Sequence, residues 1–370
     1  MQILLVGSSG LLATNLKLFL VSQGVSLDVM SLRSNPGNQI KKYYDIIIYN
    51  SFIIKPNDSK LVESNDEHIQ IFFEKIKKLN FGYLINISST KALDDNNDYY
   101  GYSKRRCEEQ MLYKFPGKVV NLRLPNLFGP GGRINHNSVA STWCYNIANN
   151  IDLKIHSRNS CIELLHVYDA VTRLWNLIDS RLNANAIDSN DMIIEQGECI
   201  TLGELEEIVK CFSARFSENQ SIPCSLEKNT NLARSLYSTY LSYLPSEKHF
   251  YEVAPARDIR GSFLEIARYP WESASSVLEI SAGKCRGDHY HFRKSEKFYC
   301  LVGSVVVQTK NLVTNETKML DLNGGSSRVF EAVPLVNHSF LNNGSSSAIL
   351  AVTSSEHFQT QGDDTYKWRM

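Results

Sequence analysis

A tyrosine and a lysine stand four positions apart in the first half of the chain, ten positions after a threonine. These residues are Thr90, Tyr100 and Lys104, in the segments Ile87-Ser88-Ser89-Thr90 and Tyr100-Gly101-Tyr102-Ser103-Lys104. On a helix, positions i and i+4 share one face, so the lysine cation favours the phenolate form of the tyrosine. Such a tyrosine exchanges a proton near neutral pH, while the threonine hydroxyl polarises a substrate oxygen. The spacing therefore predicts proton transfer at a carbonyl or alcohol oxygen.

A second group of reactive side chains lies in the last third of the chain. His289 and His291 alternate along a predicted strand, so both can point to one face. Glu296 follows in the next segment, and His338 comes later as the fourth candidate. Three imidazoles and one carboxylate suit zinc, iron, nickel or manganese, and zinc is the default expectation.

The segment Gly7-Ser8-Ser9-Gly10-Leu11-Leu12-Ala13 joins the first predicted strand to the first helix. Small residues there, namely Gly7, Gly10 and Ala13, let the backbone approach a pyrophosphate at the helix N-terminus. The second strand ends in Ser31-Leu32-Arg33, with no acid to hold both ribose hydroxyls. An arginine suits the 2′-phosphate, so the sequence favours NADPH over NADH.

The predicted helices and strands that must hold these residues follow two different patterns along the chain. Strands at Ile3–Val6, Leu27–Leu32, Ile46–Tyr49, Tyr83–Ile87 and Val119–Leu124 alternate with helices, for example 11–22, 68–79 and 103–114. This rhythm predicts an α/β Rossmann-type doubly wound parallel sheet. After a polar connector at 218–231, short strands separated by Gly and Asn turns predict an all-β barrel. We therefore expect domains at 1–245 and 246–370.

Composition excludes several classes of partner. The formal net charge is zero, from 39 basic and 39 acidic residues, so no general grip on nucleic acid is expected. No basic residue precedes Lys17 and no apolar run would cross a bilayer, which argues against secretion and membrane insertion. The eight cysteines contain no C-x-x-C pair and are expected to be reduced thiols in the cytoplasm. We also expect a homo-oligomer, a dimer or larger.

The first part of the chain resembles an extended short-chain dehydrogenase/reductase. It shares the strand-end hydroxyl, the Tyr-x-x-x-Lys segment and the later segment Arg123-Leu124-Pro125-Asn126-Leu127-Phe128-Gly129-Pro130. The resemblance implies that Tyr100 transfers the proton, Lys104 also binds the nicotinamide ribose, and Thr90 assists. It places Asn126 near the substrate phosphates. Tyr49-Asn50-Ser51-Phe52 departs from the family, which has small residues there beside the cofactor.

The second part resembles a cupin. Gly283, His289, His291, Glu296 and Gly303 match the fixed positions of the first cupin signature. The second signature lacks the usual glycine before His338, which makes that residue the weakest ligand candidate. The segments Asp258–Glu265 and Cys285–His289 resemble parts of sugar-nucleotide epimerase cupins.

This fusion, with the junction Leu236–Pro245, resembles the CapF/WbjC-type enzymes of bacterial capsule and O-antigen synthesis over essentially the whole chain. The resemblance implies a UDP-linked amino sugar substrate, a UDP-4-keto-6-deoxy-HexNAc. The cupin would epimerise C3, and the reductase would then reduce C4 with NADPH. The product would be UDP-2-acetamido-2,6-dideoxy-L-talose, on the route to N-acetyl-L-fucosamine.

Two other functions compete with this interpretation. One is a sugar-nucleotide 4-epimerase or 4,6-dehydratase with bound NAD. Dehydratases usually carry an acidic pair after the strand-end hydroxyl, where this chain has Lys91-Ala92. The other is a nucleotide-sugar-binding scaffold whose cofactor site has decayed around Tyr49 to Phe52. The intact set of Thr90, Tyr100 and Lys104 argues against a scaffold.

Overall fold

The computed structural model describes residues 1–33, 40–55, 58–93, 98–183, 192–213, 230–252, 256–258, 261–263, 274–356 and 364–368. It divides into two compact units. The first unit comprises Met1–Leu127 and Ile162–Cys199, and the second comprises Phe128–Cys161 and Ile200–Met370. Most of the expected connector at 218–231, and residues 259–260 and 264–265 of the epimerase-like segment, lie outside the described residues.

The elements have the following bounds. The strands are β1 Gln2–Val6, β2 Ser26–Met30, β3 Tyr43–Tyr49, β4 Asn80–Ser89, β5 Val119–Leu124, β6 Asn126–Phe128, β7 Cys161–His166, β8 Met192–Ile194, β9 Glu198–Thr201, β10 Phe250–Glu252, β11 Ala256–Asp258, β12 Gly261–Phe263, β13 Ala274–Ile280, β14 Cys285–Tyr290, β15 Glu296–Val302, β16 Ser304–Asn311, β17 Thr317–Asn323, β18 Arg328–Ala332, β19 Val336–Leu341, β20 Ala348–Ser354 and β21 Tyr366–Lys367. The helices are α1 Leu11–Ser22, α2 Ser59–Ile76, α3 Tyr99–Lys114, α4 Val139–Ala148, α5 Val167–Asn183, α6 Leu202–Cys211 and α7 Thr230–Ser242.

The first unit is built on a six-stranded sheet in the order β2-β1-β3-β4-β5-β8. Every pair in this sheet is parallel, and apolar side chains such as those of β1 are fully buried. Buried strands of this kind read as apolar runs because helices cover both faces of the sheet. The strand order reverses between β1 and β3, so the carboxyl ends of these strands form the crevice where such sheets bind nucleotides. The Rossmann-type prediction is confirmed.

Helices α2 and α3 begin earlier than the apolar pattern predicted. The carboxylates of Asp58 and Asp98 accept hydrogen bonds from the backbone N–H groups of Lys60 and Tyr100, and so cap the two helices. As a result, Tyr100 lies in the first turn of α3, four residues before Lys104 on the same face. The capping aspartates, rather than the first apolar residue, set the position of the catalytic candidates.

The second unit contains two antiparallel five-stranded sheets, in the orders β10-β18-β15-β20-β13 and β17-β16-β19-β14-β21. Apolar side chains from both sheets, including Phe298, Val307, Phe330 and Phe340, form one buried cluster. The arrangement confirms the predicted all-β cupin fold. The pairing of β14 with β19 shifts register between Gly287 and His289, and this irregularity lies at the first metal-ligand candidate.

Helices α4, α6 and α7 also belong to the second unit and pack on one another. The Cys144 thiol of α4 donates to the Leu236 carbonyl of α7, and a tyrosine pair from the two segments, Tyr145 and Tyr243, packs edge to face. Among the described helices, none is long and apolar enough to cross a membrane.

Candidate active site and metal centre

The glycine-rich turn lies at the crevice of the first sheet. Gly7 has φ +90°, and a Cβ atom there would lie 2.5 Å from the Asn50 carbonyl oxygen at the end of β3. Gly10, with φ +106°, is the N-cap residue of α1, and no side chain caps this helix. Ala13 is fully buried in the first turns. The turn thus leaves backbone N–H groups of α1 for an anion, as a pyrophosphate requires.

Arg33 lies three residues beyond the end of β2 and is exposed. Burial and the Arg33 charge together lower the pKa of His68 on α2. The His68 Nε2 atom is 2.8 Å from the Ser51 hydroxyl, which follows β3. The structure therefore gathers a cation, an imidazole and a hydroxyl near the expected position of the adenosine ribose. Sequence reasoning missed His68, which belongs to no motif, and included Ser51 only as a member of the segment Tyr49-Asn50-Ser51-Phe52.

Tyr100 and Lys104 are brought together, as their spacing predicts. The Lys104 ammonium donates a 2.9 Å hydrogen bond to the Ile87 carbonyl oxygen, and it lies 5.9 Å from the centre of the Tyr100 ring. Tyr100 is hydrogen-bonded to the side chain of Ser89. Thr90 is half-buried and begins a short 3-10 turn directly after β4. Two neighbouring hydroxyl groups, of Ser89 and Thr90, therefore stand at the strand end.

Phe52 covers this pair of residues. The Lys104 ammonium lies 4.1 Å from the centre of the Phe52 ring, within cation–π range. The Phe52 and Tyr100 rings meet edge to face with centroids 5.7 Å apart. The departure from small residues seen in the sequence thus places an aromatic ring directly at the catalytic candidates.

Burial sets the ionisation of both groups. It lowers the pKa of Lys104 to about 8, because the charged ammonium loses water. Burial also raises the pKa of Tyr100 to about 12, which the Ser89 hydrogen bond only partly offsets. Tyr100 is therefore a phenol, ready to donate a proton, rather than a phenolate as the sequence argument expected.

A buried ion pair supports α3 from beneath. The Arg123 guanidinium of β5 donates to both oxygens of Glu108 at 2.9 and 2.6 Å. Glu108 follows Lys104 by one helical turn and acts electrostatically on its ammonium. The pairing ties the catalytic helix to the sheet, and removal of one partner would leave an uncompensated charge.

Asn126 is exposed at the start of β6. Its amide donates to the Glu163 carbonyl oxygen of β7 at 3.1 Å. The described contacts thus tie this residue to β7 rather than to Tyr100 or Lys104.

The four metal-ligand candidates converge in the barrel. Their ligand atoms, in His289, His291, Glu296 and His338, all lie within 4.8 Å of one another. Glu296 Oε2 is 3.1 Å from His291 Nε2, 3.6 Å from His338 Nε2 and 3.8 Å from His289 Nε2. His338, the weakest candidate by sequence, is fully buried and faces the cluster from β19.

The donor set fits a divalent metal. Within the described residues, His338 Nε2 is buried without a hydrogen-bond partner, which is costly unless an ion occupies the space it faces. His338 Nδ1 lies 3.3 Å from the Val336 carbonyl oxygen, and His291 Nδ1 contacts the Asp364 carbonyl oxygen. Such contacts fix the tautomer that leaves Nε2 as the ligand.

Charge in the cluster is also suited to a cation. Burial alone would raise the pKa of the Glu296 carboxyl, but the three surrounding histidines hold it well below its usual range. Burial lowers the pKa of His338 to about 4, so this imidazole is neutral at physiological pH. An ionised carboxylate beside a neutral imidazole is the state that binds a metal.

Comparisons with known protein families match both parts of the chain. Residues 82–188 match the NAD dependent epimerase/dehydratase family. Residues 256–366 match the Polysaccharide biosynthesis C-terminal domain. The first match contains Thr90, Tyr100 and Lys104, and the second contains the four candidate metal ligands.

Individual relatives cover the whole chain. A UDP-2-acetamido-2,6-beta-L-arabino-hexul-4-ose reductase of Pseudomonas aeruginosa is 29% identical over 374 residues, covering 99% of this chain and 98% of the relative. The crystal structure of the capsular polysaccharide assembling protein CapF from Staphylococcus aureus is similar with a TM-score of 0.57 and 25% identity, covering 100% of both chains.

The fold of the first part recurs more widely. A UDP-N-acetylglucosamine 4-epimerase from Bacillus cereus covers 65% of this chain and 96% of its own, at 14% identity and a TM-score of 0.51. That likeness shows a shared fold alone. The full-length matches agree with the resemblance seen in the sequence: the chain is similar over its whole length to these two proteins, with a first part that matches the epimerase/dehydratase family and a second part that matches the Polysaccharide biosynthesis C-terminal domain.

Proposed function

We propose that this chain converts a UDP-linked 4-keto-6-deoxy-HexNAc into UDP-2-acetamido-2,6-dideoxy-L-talose, in surface polysaccharide synthesis. Residues 1–245 form the reductase domain, and residues 246–370 form a metal-dependent cupin that epimerises C3. The observation that carries the proposal is the presence in one chain of a Tyr100–Lys104 pair and a His/Glu cluster. The full-length similarity to a UDP-hexulose reductase supports this substrate class.

In the reductase domain, NADPH would supply the hydride that reduces C4. The α1 N-terminus would hold its pyrophosphate, and Arg33 its 2′-phosphate. Tyr100 would donate its phenolic proton to the developing C4 alkoxide, and the Ser89 or Thr90 hydroxyl would hold that oxygen. Lys104 would stabilise the resulting phenolate and bind the nicotinamide ribose. Asn126 would contact the substrate on the phosphate side.

In the cupin domain, His289, His291, Glu296 and His338 would hold a divalent cation, with zinc as the default. A cation there would polarise the 4-keto oxygen and so acidify the C3 proton. Epimerisation must come before reduction, because the C3 proton is acidic only while C4 is a ketone.

The substrate and the thiols favour a cytoplasmic enzyme. The described cysteines, seven of them, are all free, as a reducing compartment maintains. We further propose a homo-oligomer, a dimer or larger, with no nucleic acid partner.

The test separates the two reactions by following solvent deuterium at C3 of the keto sugar by NMR. Tyr100→Phe removes the proton donor and should slow C4 reduction by about 100-fold to 10,000-fold, while C3 exchange continues. His291→Ala should abolish C3 exchange, but the variant enzyme should still oxidise NADPH when it is given a substrate that is already epimerised at C3. Undiminished reduction by Tyr100→Phe would refute the reductase assignment, and undiminished exchange by His291→Ala would refute the cupin epimerase.

A further inference from the structure

We infer that residues 364–368 form a C-terminal clasp that positions the metal-ligand segment of the cupin, with Asp364 as the positioning residue. The inference rests on the metal site proposed above and adds a requirement to it. A metal ion would bind tightly to the four candidate ligands only when this clasp is docked; these ligands are His289, His291, Glu296 and His338.

The carboxylate of Asp364 holds the turn between two ligand candidates. Its Oδ1 atom accepts a hydrogen bond from the Phe292 backbone N–H at 2.9 Å. Its Oδ2 atom accepts from the N–H groups of Arg293 and Lys294 at 2.6 and 2.7 Å. Asp364 is only 3% exposed, so these charge-assisted bonds are shielded from water. One side chain thereby fixes the path of the chain from His291 towards Glu296.

The backbone of Asp364 reaches His291 itself. Its carbonyl oxygen contacts His291 Nδ1 across 73 positions of sequence, and His291 is fully buried. An Nδ1–H that donates to a carbonyl fixes the imidazole ring with Nε2 directed at Glu296 and the other ligand candidates, and Nε2 is the atom that would bind the metal. Asp364 thus acts on His291 through its main chain and on the following turn through its side chain.

The rest of the clasp adds an antiparallel strand beside the strand that carries His289. Strand β21 pairs with β14, with His289 opposite Lys367 and Tyr290 opposite Tyr366. The backbone N–H of Trp368 donates to the Asp288 carbonyl oxygen at 3.3 Å, and Lys294 Nζ donates to the Thr365 hydroxyl at 2.7 Å. These contacts fasten the clasp on both sides of His291.

The experiment compares metal affinity by chelator competition, and the absorption spectrum of the Co²⁺-loaded protein, for the full-length chain and its variants. Asp364→Ala should weaken Co²⁺ and Zn²⁺ binding by about 10-fold to 100-fold, which is typical for the partners of metal ligands. Asp364→Asn keeps one acceptor oxygen, so its metal affinity should lie between those of the parent chain and Asp364→Ala. Asp321→Asn, the same substitution at an exposed position of β17, is the matched control and should bind metal as the parent chain does.

A double variant distinguishes positioning from a general loss of structure. The Asp364 side chain holds the turn that joins His291 to Glu296, so part of its effect is lost once His291 is replaced, and the double variant Asp364→Ala/His291→Ala should lose less metal affinity than the sum of the two single losses. Fully additive losses, or an unchanged metal affinity and Co²⁺ spectrum in both Asp364 variants, would overturn the inference.

Hydrogen exchange separates failure of the clasp from failure of the metal site. In metal-free protein, the amides of Phe292, Arg293 and Lys294 should exchange faster in Asp364→Asn than in the parent chain or in Asp321→Asn. If the parent chain binds no metal but this difference is seen, the metal proposal fails and the clasp stands. If the difference is missing, the clasp is refuted whatever the metal result.

Discussion

At the scale of single residues, the Tyr100–Lys104 pair combines two opposed effects of burial. The lysine becomes easier to deprotonate and the tyrosine harder, because burial disfavours the charged form of each group. A phenol that keeps its proton is the correct form for reduction, which consumes a proton at the new alcohol. The same state would hinder the reverse oxidation, so the surroundings of Tyr100 favour a reductase.

The pH dependence of cofactor binding tests the state of Lys104. The lysine pKa is depressed to about 8, so the ammonium is present below that pH and is lost as the pH rises through it. NADPH affinity should therefore fall between pH 7 and 9 in the parent chain, and Lys104→Met should show a weak, flat profile. Fluorescence titration at each pH measures this.

Phe52 should affect the pH at which NADPH affinity falls. Its ring excludes water from the Lys104 ammonium, so Phe52→Ala should hydrate the ammonium and move the midpoint of the fall to higher pH. Phe52→Leu, which keeps an apolar cover, should remain near the parent midpoint. A lower midpoint in Phe52→Ala would mean that the cation–π attraction outweighs the exclusion of water.

Cofactor choice also belongs to the residue scale. Arg33→Ala should weaken NADPH binding much more than NADH binding, since only NADPH carries the 2′-phosphate that the guanidinium would hold. Isothermal titration with both cofactors gives the two dissociation constants. An equal loss for the two cofactors would show that Arg33 does not read the phosphate.

At the scale of elements, function depends on where strands end and helices begin. Asp58 and Asp98 cap α2 and α3, and the β1–α1 turn passes so close to β3 that Gly7 admits no Cβ atom. The metal cluster is likewise divided among elements, since His289 lies on β14, Glu296 on β15 and His338 on β19. The metal cluster therefore depends on how the two sheets pack, because Glu296 lies on one sheet and His289 and His338 lie on the other.

A comparison of Gly7, in the nucleotide turn, with Gly24, in the turn after α1, distinguishes the cost of backbone strain from the cost of a steric clash. Gly7 and Gly24 both have positive φ, at 90° and 70°, but a Cβ atom at Gly24 would meet nothing within 4 Å. Gly24→Ala should therefore cost only the strain, about 1–3 kcal/mol, whereas Gly7→Ala should cost more and prevent NADPH binding. Urea unfolding and NADPH titration of both variants measure the difference. Equal unfolding free energies would show that the turn can yield to the added methyl group.

At the scale of the whole molecule, the candidate sites for two chemistries lie in separate compact units. The Tyr100–Lys104 site lies within the first unit, and the His/Glu cluster lies within the second. Each unit is expected to respond to its own ligand, because a ligand that binds only the folded form stabilises that form.

Calorimetry tests this independence. NADPH at 100 times its dissociation constant should stabilise the unit containing Tyr100 by about 2.7 kcal/mol, while removal of metal by a chelator should lower the unfolding temperature of the barrel. Tyr100→Phe should keep both responses, and His291→Ala should lose only the second. A single transition that moves equally with either ligand would show that the units unfold together.

The sequence by itself determined the fold class, and it singled out the candidates for the nucleotide turn, the catalytic pair and the metal ligands. These features depend on local periodicity, such as the i and i+4 spacing of Tyr100 and Lys104, or on alternation along a strand, such as His289 and His291. The confirmed Rossmann-type and cupin folds follow from the same local patterns.

Only the tertiary structure decided what surrounds these residues. Phe52 lies on Lys104 because β3 is adjacent to β4 in the sheet, and Asp364 reaches His291 because β21 pairs with β14. Ser89 and His68 join the site in the same way, through contacts between separate elements. Burial and hydrogen bonding depend on such distant contacts, so the protonation of Tyr100 and the support of His291 appear only when the chain is folded.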